Sequence, residues 1–285
     1  MTNPRASRKK VNYRRRVEAR LRALFEYFRN AKIRLEHMPQ TRGGTDDPKH
    51  AQYAYLDSVI LASSYLDALA VFRYGQGRQG FIQFLQNYSN AEQQRWYRRI
   101  SSLYLDQPPL DDTGNLQKRL SGSDLKRIRR ILYGNAVANS GSDFSLDEAA
   151  RRLDQASVQM PKELLNCFSY AAYFYERYRC HGVHNVQPPA PGVSSVAKPY
   201  YEPRRRPKFL IFPRQFILDT LTACIDNFEK EALEKLKGGP PPATADDYRW
   251  LKERFGLKST FIETVCAYYR PGSKPRVPAA PRGSS

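Results

Sequence analysis

The sequence predicts an all-α protein, a helical bundle with a basic N-terminal helix and a disordered C-terminal tail. Apolar residues recur at steps of three and four in segment after segment, and the gaps between these segments hold Gly, Pro or a helix-capping residue. No stretch shows the period-two alternation of a half-buried strand. With 285 residues, 41% of them hydrophobic, the chain can bury the core of one large domain or of a domain with appendages.

Residues 1–45 read as a basic arm running into a helix. Arg5, Arg8, Lys9, Lys10, Arg14, Arg15, Arg16, Arg20 and Arg22 face the single acid Glu18, and the helical pattern continues through Leu24, Phe28 and Leu35. Gly43, Gly44 and Pro48 end it. A second helix starts near Ala51, with Tyr55, Val59, Ala62, Leu66 and Leu69 on one face, and Gly75, Gly77 and Gly80 close it. Phe81–Tyr88 and Ala91–Leu105 have helical character, with Trp96 and Tyr104 as core anchors or exposed contacts, the core being favoured.

After the turn-rich stretch from Gln107 to Gly114, Ser123 or Asp124 caps a helix with Leu125, Ile128 and Ile131 on one side and Lys126, Arg127, Arg129 and Arg130 on the others. Ser145 with Glu148 gives a capping-box pattern. Pro161 suits the first turn of a long aromatic helix from Leu164 to about Val183. Residues 187–207 read as an irregular Pro-rich loop ending in Arg204, Arg205 and Arg206. Phe209–Phe212 is short and apolar enough to extend. Pro213 then opens a last strong helix bearing Phe216, Leu221, Cys224, Ile225, Phe228 and Leu233. Residues 51–237 thus form one helical domain, 238–270 a helical extension around Trp250 and Phe255, and 271–285 a tail too poor in apolar residues to order.

Charge points to the partner. Against 28 Asp and Glu stand 47 Lys and Arg, a formal net charge of +19, and such a surface gains affinity for nucleic acid by releasing counterions from phosphates. Arg14, Arg15, Arg16, Arg127, Arg130, Arg204, Arg205 and Arg206 are the candidate RNA contacts. The four cysteines form no CxxC pair and there are only four histidines, so no metal and no cofactor are expected. Without a signal-type apolar region or an apolar run of about 18 residues, no membrane partner is expected and the protein reads as cytoplasmic.

The chemistry concentrates in Tyr175-Glu176-Arg177-Tyr178-Arg179-Cys180-His181-Gly182-Val183-His184-Asn185, where two of the four histidines lie within four residues. Metal-free RNA cleavage needs a proton carrier for the 2′-hydroxyl or the leaving 5′-oxygen, and fixed positive charge for the phosphorane-like transition state. His184 supplies the first and Arg179 the second. A helix C-terminus also attracts cations through its dipole alone.

The stretch Tyr178 to Asn185 resembles the R-x4-6-H motif of the HEPN superfamily, with Arg179 and His184 as its ends and Val183 as the apolar residue before the His. Residues 58–70 look like the helix that packs on the motif helix in such domains, and residues 209–217 with the helix that follows are similar to the closing part of the same bundle. The resemblance covers about residues 51–237. It implies an all-α bundle acting as a homodimer, an RNase leaving cyclic-phosphate and 5′-hydroxyl ends, and a toxin–antitoxin or antiviral setting with an antitoxin or defence-system partner protein. Many active members place Asn, Asp or His directly after the motif Arg, whereas this chain has Cys180, a reactive thiol or a structural one; His181 and Asn185 are the nearby polar groups. Arg177 also lies within the allowed spacing of His184. Asp67 is either an orienting partner for Arg179 or His184, or an exposed acid beside the apolar face. Two other functions fit the same residues: a catalytically silent RNA- or nucleotide-binding protein, and a subunit recognising a second protein.

Overall fold

The computed structural model describes residues 4–38, 48–106, 120–134, 142–180, 197–202 and 209–237, with the backbone alone described at 4–14, 16 and 48–55. Its elements are α1 (Pro4–Glu36), α2 (Pro48–Tyr74), α3 (Arg78–Tyr88), α4 (Ala91–Tyr97), α5 (Ser102–Asp106), α6 (Gly122–Tyr133), α7 (Leu146–Gln155), α8 (Lys162–Asn166), α9 (Tyr170–Phe174), a π-helical turn (Tyr175–Cys180), β1 (Tyr200–Tyr201), β2 (Leu210–Ile211) and α10 (Arg214–Lys237). The only sheet among the described residues is the antiparallel pair β1 and β2, with Tyr200 opposite Ile211 and Tyr201 opposite Leu210. The fold is therefore mostly helical, as the apolar spacing predicts.

The chain divides into two units, residues 1–27 with 229–285, and residues 28–228. In the first, Val17, Leu21, Leu24 and Phe25 are the buried positions of α1, and Arg22 pairs with Glu18 one turn earlier at 2.8 Å. Ala232 and Leu236 are buried on the last turns of α10. The helix expected around Trp250 and Phe255 and the tail of 271–285 lie outside the described residues.

The second unit has an aromatic core. Phe174 stacks on Tyr178 at 4.9 Å with the rings 2° from parallel, and Phe212 meets both edge-on at 5.1 and 5.3 Å. Such pairs add about 0.5–1.5 kcal/mol each beyond the area they bury. Helix α2 packs on α3 and on the π turn. A second cluster gathers Ile100, Leu125, Ile128, Leu153, Leu165 and Phe168 between α5 and α9. At the start of α10, buried Arg214 donates to Ser58 Oγ at 2.8 Å and to the carbonyl of Leu35, so one guanidinium closes the C-terminus of α1 and fastens it to α2.

Several element boundaries depart from the sequence reading, and one segment causes most of the departures. Residues 91–105 are two helices, because α4 ends at a turn on Arg98, and Arg99 and Ile100 bridge to two other stretches, at Ser145 and Ser169. Leu146 N donates to Arg98 O at 2.7 Å and Ile100 N to Phe144 O at 2.8 Å; on the other side Tyr170 N donates to Arg99 O at 2.8 Å and Ser101 N to Phe168 O at 2.9 Å. The same bonds take Phe168 and Tyr170 out of a continuous helix, so the long helix expected from Leu164 is α8, a break, and α9 with its π turn. Helix α6 is capped by Ser121, whose side chain accepts from Asp124 N at 3.1 Å while Ser121 N donates to the Asp124 carboxylate at 2.9 Å. Ser145 caps α7 as predicted, but the Glu148 carboxylate turns to Arg151 and Arg152, at 2.8 Å each, instead of closing a box. Gly80 lies inside α3, where a Cβ would stand 3.0 Å from the carbonyl oxygen of Gly75, and Gly77 at φ 120° makes the turn before it.

Candidate active site

Helix α9 begins because Ser169 accepts a hydrogen bond from Ala172 N at 3.2 Å, the usual satisfaction of a first-turn donor. From Tyr175 the helix widens into the π turn, a rare geometry that recurs at functional sites. Three of its side chains are held by three different neighbours. The Tyr178 hydroxyl accepts from Phe212 N at 2.8 Å, the Glu176 carboxylate accepts from the Tyr104 hydroxyl, and Arg179 donates to Asp67 on α2.

The Asp67–Arg179 pair resolves the choice left by the sequence: Asp67 is the partner that orients Arg179. Nε and Nη2 of Arg179 both donate to Oδ2 of Asp67, at 3.1 and 2.9 Å, which fixes the guanidinium plane. Nη1 lies 3.7 Å from Cys180 Sγ, and the guanidinium stands 5.4 Å over the Tyr175 ring. The two side chains are 25% and 19% exposed, so the pair is accessible from solvent. Burial works against the Arg179 charge, but hydrogen bonding and attraction from Asp67 outweigh it and raise the pKa, leaving a permanent cation. Burial, followed by the Cys180 thiol, pushes Tyr175 up to about 12, so its hydroxyl stays protonated near neutral pH.

Arg177 projects elsewhere. It is half-buried, and its Nε is buried with no hydrogen-bond partner among the described residues. His184, His181 and Asn185 lie outside the described residues, as do Arg204, Arg205 and Arg206 and the side chains of Arg14 and Arg16. Arg15 is exposed on α1. Lys126, Arg127 and Arg130 are exposed on α6, whereas Arg129 is drawn to Asp106 and donates to Gly134 O at 3.0 Å.

A second polar centre lies in the interior and was not foreseen. Asp143, 5% exposed, accepts from the hydroxyls of Tyr170, at 2.8 Å, and Tyr201, and from Ser102 N at 3.3 Å. Burial raises its pKa although these donors oppose the rise. Nothing in the spacing of residues so far apart could announce this contact.

Among the described residues no group of three or more His, Cys, Asp or Glu side chains is placed to hold a metal ion, and no helix is long and apolar enough to cross a membrane. No family model, curated protein or solved structure matches the chain.

Proposed function

We propose that the protein is a metal-independent endoribonuclease of the HEPN type, with Arg179 and His184 as its catalytic pair. One observation carries the reading: Arg179, five residues before His184, sits on a π turn with its guanidinium plane set by Asp67. In the reaction a base removes the 2′-hydroxyl proton, the 2′-oxygen bonds to the adjacent phosphorus, and the bond to the 5′-oxygen breaks as that oxygen takes a proton. The products are a 2′,3′-cyclic phosphate and a 5′-hydroxyl end. His184 moves a proton and Arg179 stabilises the charge gathering on the phosphorane. The net charge of +19 suits an RNA substrate. The reading includes a cytoplasmic homodimer and a toxin–antitoxin or antiviral setting.

Cys180 beside Arg179, where active HEPN proteins commonly carry Asn, Asp or His, favours a second reading as a catalytically silent RNA- or nucleotide-binding protein. Incubating the purified protein with total RNA in EDTA separates the two. His184→Ala should lose on the order of 10²–10⁴-fold in cleavage rate while staying folded, and wild-type products should carry cyclic-phosphate ends. Equal cleavage by His184→Ala, Arg179→Ala and wild type removes this site and leaves the binding module.

A further inference from the structure

The end of α4 and the residues just after it combine arginine with aromatic rings in a way that the Arg179 and His184 pair does not use. Residues 95–99 read Arg-Trp-Tyr-Arg-Arg, three cations and no acid. Tyr97 turns into the core, whereas Trp96 is half-buried and Arg95 and Arg98 are exposed, Arg98 donating one bond to Gln86 O at 3.0 Å. The Arg99 guanidinium stands over the Trp96 ring, 4.4 Å from its centroid. Trp96 in turn leans on the buried ring of Tyr170 at 6.2 Å and 31°, which fixes its place.

A second stack of the same kind meets the first across a backbone bridge. Arg99 pairs with Ser145, and its Nη1 donates to Asp143 O at 3.4 Å. Between those two residues stands Phe144, a half-buried ring with the Arg152 guanidinium 4.2 Å from its centroid and Tyr133 stacked on it at 5.3 Å. The Arg152 side chain is 41% exposed, and Glu148 holds it at 2.8 Å. Residues opposite each other in an antiparallel pair have Cα atoms about 4.5–5.5 Å apart, so the two stacks are neighbours.

Single-stranded nucleic acid is gripped where cations that follow its phosphates alternate with surfaces on which its bases stack, and both aromatic rings and guanidinium planes serve as such surfaces. Residues 95–99 with Phe144 and Arg152 supply both kinds of group, already ordered by packing before a ligand arrives. The exposed Lys126, Arg127 and Arg130 of α6 supply charge alone. We infer that Trp96 and Arg99, with Phe144 and Arg152 beside them, form a base-stacking platform for single-stranded RNA, flanked by Arg95 and Arg98 for its phosphates. The inference rests on the proposed function for RNA as the ligand, and it holds for the cleaving and the silent form of that reading alike. Every base has a π face, so the platform accepts any sequence but needs bases that are not paired in a duplex.

The test uses the full chain and a short RNA strand 2′-O-methylated throughout, which cannot be cleaved, beside the same sugar–phosphate backbone without bases. The wild type should bind the strand with bases on the order of 10-fold more tightly. Arg99→Lys and Arg152→Lys keep the charge and lose the planar guanidinium, so each should narrow that ratio while affinity for the abasic strand holds. The chain has two tryptophans, and in Trp250→Phe the emission belongs to Trp96 alone. That emission should be quenched by the strand with bases, stay unchanged with the abasic strand, and recover when a complementary strand is annealed. Equal affinity of the wild type for the two strands would overturn the platform and leave the stacks as packing, as would unquenched Trp96 emission or a ratio unchanged in both lysine variants. If Arg99→Lys fails to fold, Arg152→Lys and the quenching decide by the same readouts. If the wild type cleaves no RNA yet base preference and quenching appear, the platform stands and the ribonuclease reading falls; if it cleaves RNA yet binds the two strands alike, the platform alone falls.

Discussion

Arg177 and Arg179 stand two residues apart on one π turn and meet opposite fates. Arg179 is clasped by Asp67 through two donors to one oxygen, whereas Arg177 keeps a buried Nε without a partner among the described residues. The difference teaches that the residue type does not set the task of an arginine; its neighbours do. A guanidinium held in plane by a carboxylate is suited to meeting a transition state at a fixed angle.

The largest effect should come from releasing Arg179. Asp67→Ala removes the group that orients the guanidinium, and a small misplacement of a catalytic group costs about 10²-fold, so kcat for RNA cleavage should fall by that order while KM stays close to wild type. Asp67→Asn, which keeps an acceptor oxygen but not the charge, should restore part of the rate. A purely structural Asp67 would instead lower the melting temperature and leave the activity of the folded fraction intact.

The other side of the turn can be sharpened through pH. Tyr104 has its pKa held above the ordinary 10.0, first by burial and then by Glu176. As pH rises past 10.0, the unfolded chain releases the tyrosine proton while the folded chain keeps it. The folded state then binds more protons, and stability falls with pH. The contribution is fully present below 10.0 and is lost at up to about 1.4 kcal/mol per pH unit above it. Tyr104→Phe lacks this term, so its denaturation midpoint should decline less steeply on the alkaline side, although Glu176 without its donor lowers stability at neutral pH. Parallel slopes for the two proteins would show that Tyr104 is not shielded as its burial implies.

How far the sequence discloses these features depends on whether the cause is local. Helix α10 was legible because Phe216, Leu221, Ile225 and Phe228 repeat at helical spacing behind Pro213, and α7 because Ser145 stands just before its first turn. The break at Ser169 was hidden: apolar periodicity runs on through Phe168 and Tyr170, and what interrupts it is backbone pairing with Arg98–Ser101, far away along the chain. Arg179 could be picked out from the motif spacing, but its partner is 112 residues away, so Asp67 carried no signal beyond being an acid near an apolar face. The contact between Tyr104 and Glu176 was hidden for the same reason, since the two lie 72 residues apart. A π turn leaves no mark in a three-and-four count.

The smallest expected effect concerns α6, where the comparison is between a bonded arginine and an exposed basic face. Arg129 bonds to Asp106 and Gly134, whereas Lys126, Arg127 and Arg130 are exposed on a helix whose Leu125, Ile128 and Leu132 are buried. Lys126 and Arg127 lie four and three residues before Arg130, the spacings at which side chains are neighbours and like charges cost about 0.2–0.5 kcal/mol per pair. Phosphates would offset that repulsion. The double substitution Arg127→Ala and Arg130→Ala should therefore raise the denaturation midpoint slightly while weakening RNA binding. The slope of log affinity against log salt should fall in magnitude by about 1.4, two contacts at about 0.7 each for single-stranded RNA, and by the same amount for unrelated sequences because phosphate contacts carry no base information. An unchanged salt slope would make this face a solvated one and move RNA binding to the other basic segments.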